Sequence, residues 1–167
     1  MRAGRAALLS LLAGIGLGSC QVQQAPDAGG ATAGDAAPER PRMEILQVEG
    51  VLSLPVFSSA VRAGDFLFLS GMVGTVGNTR TLAEGGAAAE ARQTMENIRL
   101  ILDAAGASFE DVVKCTVFLA DIGDYAAVNG VYAEYFPSRP PARSAVAGSG
   151  IALGARVEIV CLALAVD

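Results

Sequence analysis

The alternation of apolar and polar positions sets the first expectations. Residues 43 to 50, "MEILQVEG", and 65 to 74, "DFLFLSGMVG", read as strands, with Ala63-Gly64-Asp65 turning the chain before the second. A short extra strand near Phe57 to Val61 fits the same pattern. After the loop "NTRTLAEGG" the period changes. Ala91, Met95, Ile98, Leu102 and Ala105 recur at spacings of three and four, which predicts an amphipathic helix closed by Gly106. "DVVKCTVFLAD" alternates again, with Val113, Cys115, Val117 and Leu119 on one face and Lys114 and Thr116 on the other. "DYAAVNGVYAEYF" predicts a second helix with a buried stripe of Val128, Tyr132 and Tyr135 or Phe136, stopped by Pro137. Two strands follow, Ala142 to Ala147 and Arg156 to Val166.

The order β-β-α-β-α-β-β predicts an α+β sandwich, a mixed β-sheet with two helices packed on one face. The last strand is apolar on both sides, with Val157, Ile159, Cys161 and Ala163 on one and Val160, Leu162 and Leu164 on the other. Helices cover one side. No further element remains for the other, so a second copy of the chain is the expected cover and a homo-oligomer follows.

The N-terminus follows a different pattern. Arg2 and Arg5 precede an apolar run from Ala6 to Leu17, too short for a permanent membrane span, and residues 1–19 read as an export signal. Leu17-Gly18-Ser19-Cys20 resembles the lipobox of bacterial lipoproteins, which makes Cys20 the candidate lipidation site. An ordinary secretory signal with an incidental cysteine is the alternative. Residues 21 to 42 hold almost no large apolar side chain and read as a disordered tether, with the folded domain spanning 43–167. The expected address is the periplasmic side of a bacterial membrane or the cell surface, with membrane contact only through the lipid.

Charge and composition exclude several functions. The chain carries −5, and loss of residues 1–19 with their two arginines leaves 10 basic against 17 acidic residues, or −7. Without a basic run, nucleic acid is a poor partner. The absence of histidine removes Ser-His-Asp and Cys-His catalysis and every His-ligated metal site, and no metal site is expected. Cys115 and Cys161 lie in apolar strands; an oxidising compartment would allow a bridge, but pairing is not readable from sequence, and two buried thiols are expected. "GSGIALG" lacks the dinucleotide-binding spacing, and no G-K-[ST] follows a glycine loop.

Two charged residues interrupt otherwise apolar strands. Glu158 shares its strand face with Val160, Leu162 and Leu164, where a carboxylate is partly desolvated and suited to take a proton from water and return it. Arg143 enters its strand from the rigid Pro140-Pro141 lead and offers a fork of donors matched to a carboxylate. Were the two strands neighbours, the pair would face one pocket. A structural ion pair at a subunit interface is the competing reading.

"SGMVG" at 70–74, "ARQTMENIRLILDAAGASFEDVVKCTVFLADIGDYAAVNGVYAEYF" at 91–136, and "PPARSAV" with "VEI" fifteen positions after the arginine resemble the RidA/YjgF type of the reactive intermediate deaminase family. The resemblance spans about residues 44–166. It implies a chorismate-mutase-like homotrimer with clefts between subunits, hydrolysing small 2-enamine and 2-imino carboxylates to 2-keto acids and ammonia without metal or cofactor. By position it implies that Arg143 holds the substrate carboxylate and Glu158 positions the attacking water. Ser70 and Gly71 then line the cleft, Asn129 and Tyr132 lie in or near it, and the Ala145 carbonyl helps orient the water.

Three positions depart from the family pattern. Phe57 stands where the family often has Tyr, with Ser59 in the place of Gln; Met72 replaces the usual Gln after "SG"; and Ala145 replaces the common Cys. Each removes a polar group from the implied pocket, so a more apolar side-chain preference or slower turnover is expected. The alternative function is a non-catalytic, exported trimer that binds a small carboxylate.

Overall fold

The computed structural model describes residues 43–165. The export signal, Cys20 and the tether lie outside the described residues. Among the described residues seven strands form one sheet: β1 (Met43–Leu46), β2 (Ala60–Ala63), β3 (Phe66–Leu69), β4 (Met72–Val73), β5 (Val112–Leu119), β6 (Ala142–Ala147) and β7 (Val157–Leu164). Helices α1 (Ala87–Ala104) and α2 (Tyr125–Tyr135) pack on each other, and α1 lies on β4 and β7. The strand order is β1-β2-β3-β7-β5-β6, with β4 continuing beside β7. Only the β5–β6 pair is parallel, because α2 carries the chain back across the sheet between them. The α+β class with both helices on a mixed sheet is as the pattern predicts.

The α1 stripe is buried as its spacing requires: Met95, Ile98 and Leu102 are inaccessible, and Ala91 and Ala105 nearly so. Each large side chain removed from water contributes about 1.5–3 kcal/mol. Gly106 ends the helix at φ 75°, its N–H donating to Asp103 and that of Ala107 to Leu102, so the last carbonyls are satisfied. Gly74 allows α1 close to β4, since a Cβ there would stand 2.5 Å from the Glu90 carbonyl.

Several boundaries differ from the pattern's expectation. The strand expected over 65–74 breaks at Ser70-Gly71 into β3 and β4, both antiparallel to β7. The extra strand near Phe57 is β2, a full member between β1 and β3. In β5 a register shift between Val112 and Lys114 turns Val113 to solvent and puts Val112 in the core in its place. Val131 joins the buried stripe of α2.

The expectation of two buried thiols is incorrect. Cys115 and Cys161 are direct partners across β5 and β7 and form a disulfide, with Cα atoms 4.2 Å apart and the two positions 46 apart in sequence. It lies on the helix-covered face with Val117, Ile159 and Ala163, all buried.

Candidate active site

Glu158 enters a cavity of about 340 Å³ whose walls include Phe57, Ser70, Gly71 and Leu153. Strand register puts it there: β7 alternates, so Glu158 shares its side with half-buried Val160 and Leu162, opposite the helices. Gly71 leaves the carboxylate its place, because a Cβ at that position would displace the flexible end of Glu158. Both walls are anchored through α1. Asn97 donates to the carbonyls of Val73 and Thr75 at 3.1 and 2.9 Å, fixing β4. The Arg156 N–H donates to buried Glu90 at 2.8 Å and its guanidinium to Asp124 at 2.8 and 2.9 Å, fixing the start of β7 two residues before Glu158. Among the described residues no hydrogen bond or ion pair takes up the Glu158 carboxylate.

Arg143 lies in a second cavity, of about 400 Å³, walled by Asn129, Tyr132, Ala133, Phe136 and the Pro140-Pro141 lead. Its guanidinium stands 4.8 Å from the Tyr132 ring centroid and 5.8 Å from that of Tyr125, and Nη2 donates to the Tyr125 hydroxyl at 3.1 Å. Aromatic faces hold the cation without neutralising it, so its charge stays available to an anion. The Tyr132 hydroxyl is buried and has no hydrogen-bond partner among the described residues. Burial pushes Tyr132 up to about 12, with the Arg143 charge acting in the opposite direction.

The predicted residues therefore gather in two groups. Phe57, Ser70 and Gly71 assemble around Glu158, and Asn129 and Tyr132 around Arg143. Ala145 lies on β6 two residues beyond Arg143, exposed and in neither cavity wall. The strands of Arg143 and Glu158 are not neighbours, because β5 runs between them. Nor do they share a face. Arg143 pairs with Cys115 on the helix side, while Glu158 pairs with Phe118 on the open side. A single pocket within one chain is thus ruled out for this pair.

Sequence reasoning missed Tyr125 and Leu153. Tyr125 precedes Tyr132 by two helical turns and so shares its face, a signal present in "DYAAVNGVY". Leu153 has no such periodic signal. Among the described residues no cluster of three or more His, Cys, Asp or Glu is placed to hold a metal ion.

A family model described as Endoribonuclease L-PSP matches residues 51–165. The chain is 43% identical over 110 residues to Protein DfrA of Myxococcus xanthus, covering 65% of this chain and 84% of that protein. It is 42% identical over 108 residues to the Homo sapiens protein named 2-iminobutanoate/2-iminopropanoate deaminase, covering 65% and 79%. Among solved structures, RidA from an Antarctic Psychrobacter superposes with a TM-score of 0.67 at 36% identity, covering 72% of this chain and 97% of that one. E. coli TdcF with bound serine superposes with a TM-score of 0.68 at 28% identity, covering 72% and 98%. With a family model matched from β1's outgoing loop to the end of β7, and relatives that agree in sequence and in fold, the chain belongs to the reactive intermediate deaminase family.

Proposed function

We propose that this protein hydrolyses small 2-imino acids, and their enamine tautomers, to 2-keto acids and ammonia. The observation that carries the reading is the unengaged Glu158 carboxylate at a cavity with room for water and substrate. Half-buried beside Val160 and Leu162, its oxygens stay free for water and substrate at the cavity mouth. Relatives named as imine deaminases, and the serine held by TdcF, support a substrate with an amino-acid-like carboxylate.

The chemistry asks little of the protein. The carbon of a protonated imine is already electrophilic, so orientation and proton transfer carry the catalysis. Arg143 grips the substrate carboxylate. Glu158 accepts a proton from water as its oxygen bonds to the imine carbon, giving a carbinolamine. It then returns the proton to nitrogen and takes up the hydroxyl proton as the C–N bond breaks, so that the C=O forms, ammonia leaves with the electron pair of the C–N bond, and Glu158 passes the last proton to the departing ammonia. No cofactor is called for.

Because Arg143 and Glu158 lie on opposite faces, the complete site joins Arg143 of one subunit to Glu158 of a neighbour. A homotrimer with three such clefts fits the open face, where Phe66, Phe68, Phe118 and Val146 are exposed. The Cys115–Cys161 bridge supports export to an oxidising compartment, where disulfides persist; lipidation at Cys20 is the tether this reading proposes.

The test is ammonia release from imino acids made in situ by an amino-acid oxidase. Wild-type chain is expected to accelerate release, and Arg143→Ala and Glu158→Gln to abolish most of it with assembly intact. No acceleration across small, aliphatic and aromatic imines would leave a carboxylate-binding trimer.

A further inference from the structure

The wall facing Glu158 contains a backbone conformation that leucine rarely adopts. Leu153 has φ 62° and ψ 9°, and among the described residues it alone combines a positive φ with a side chain beyond glycine's hydrogen. That region crowds Cβ against the backbone, and such outliers persist only where surrounding structure imposes them. Here the turn is imposed from both sides. The Gly154 N–H donates to Ile151 and the Ala155 N–H to Ala152, each at 3.1 Å, and Ala155 is buried. Glycine or asparagine would adopt the same turn more readily. What leucine adds is an apolar side chain, 45% exposed, in the cavity wall.

The rest of that wall is chemically consistent with it. Leu52, Leu54, Phe57 and Val73 are apolar, and the Ser70 hydroxyl is engaged with the Ser58 carbonyl at 2.6 Å. On this wall a substrate amide or hydroxyl would lose its water and find no free side-chain partner except Glu158, which the reaction needs free. An acidic side chain would meet the like charge of Glu158.

We propose that Leu153 is a specificity-determining residue, selecting imino acids with an aliphatic side chain over polar isosteres of the same size. The inference rests on the deaminase reading for its substrate class.

The experiment compares full-length wild type with Leu153→Asn, which tolerates the left-handed backbone, and with Leu153→Gly, which removes the side chain. Imines generated from leucine and from asparagine differ in polarity at nearly equal shape. Wild type is expected to favour the leucine-derived imine by roughly 10-fold or more in kcat/KM, and both variants to lose most of that ratio. An unchanged ratio in variants with wild-type circular dichroism overturns the proposal. If wild type turns over neither imine, the deaminase reading fails separately, and calorimetric binding of the two corresponding 2-keto acids reads the same selectivity. Tighter binding of the leucine-derived keto acid, lost in Leu153→Asn, upholds the role of Leu153; equal binding overturns it.

Discussion

The two faces of β7 are built for different purposes. On one, Val157, Ile159, Cys161 and Ala163 are buried under the helices, and Cys161 is covalently tied to β5. On the other, Glu158, Val160 and Leu162 remain partly exposed, and Leu164 more so. The helix face is completed within one chain, whereas the open face carries both an unengaged acid and the apolar surface a neighbour would cover. On the proposed function, stability and chemistry are divided between alternate residues of a single strand. A lone glutamate is tolerated in so apolar a segment because its face lines a cavity and stays partly exposed, while the core lies behind it.

The largest effect is expected at the acid. Glu158→Gln preserves shape and removes the proton acceptor, so kcat is expected to fall by about 10²–10⁴ with KM little changed, measured by steady-state ammonia release. Arg143→Ala should instead act mainly on KM, raising it by roughly 10–100-fold through loss of a charge-assisted grip.

On the helix face the expected loss is stability. Replacing Cys115 and Cys161 together by alanine is expected to lower the unfolding free energy by about 2–4 kcal/mol in urea titrations, with kcat retained in the folded fraction. A large kcat loss in a stably folded double variant would show that the faces are not separable.

Gly71→Ala tests the contact between the faces' boundary and the acid. The added methyl displaces the flexible end of Glu158, so kcat is expected to drop by about 10²-fold, with a small change in melting temperature.

The smallest effect is a pH dependence behind Arg143. Burial holds the Tyr132 and Tyr135 phenols at about 12, above their ordinary value of 10.0. The folded state therefore favours their protonated form. Their contribution is complete below the ordinary value and is lost as pH rises toward about 12. Ultraviolet titration beside alkaline unfolding measures it. Arg143→Ala should move the Tyr132 titration further upward, because that arginine is the influence favouring the phenolate.

Local pattern made much of this legible and topology the rest less so. The α1 stripe from Ala91 to Ala105 and the Gly106 stop follow from helical period alone, and the alternation of β7 placed Glu158 on the open face. Val113 misled because a one-residue shift in register reverses which side chains face inward, and nothing in "DVVKC" marks the bulge. The disulfide was hidden for a related reason. Its partners are 46 residues apart and meet only because β7 inserts between β3 and β5, a strand order that pattern does not determine. The same order separates Arg143 from Glu158. Leu153 was hidden because its backbone is set by closure of a turn, whereas its own residue type argues against that conformation.

On the proposed function, Arg143 and Glu158 act together across a subunit boundary. The most direct measurement combines Arg143→Ala and Glu158→Gln chains, co-expressed with different affinity tags and purified through both. In a mixed cyclic trimer one of the three clefts regains both groups, so at substrate concentrations below the wild-type KM activity of about one third of wild type is expected from two nearly inactive parents. Mixed trimers as inactive as their parents would contradict the shared cleft and return both residues to separate roles.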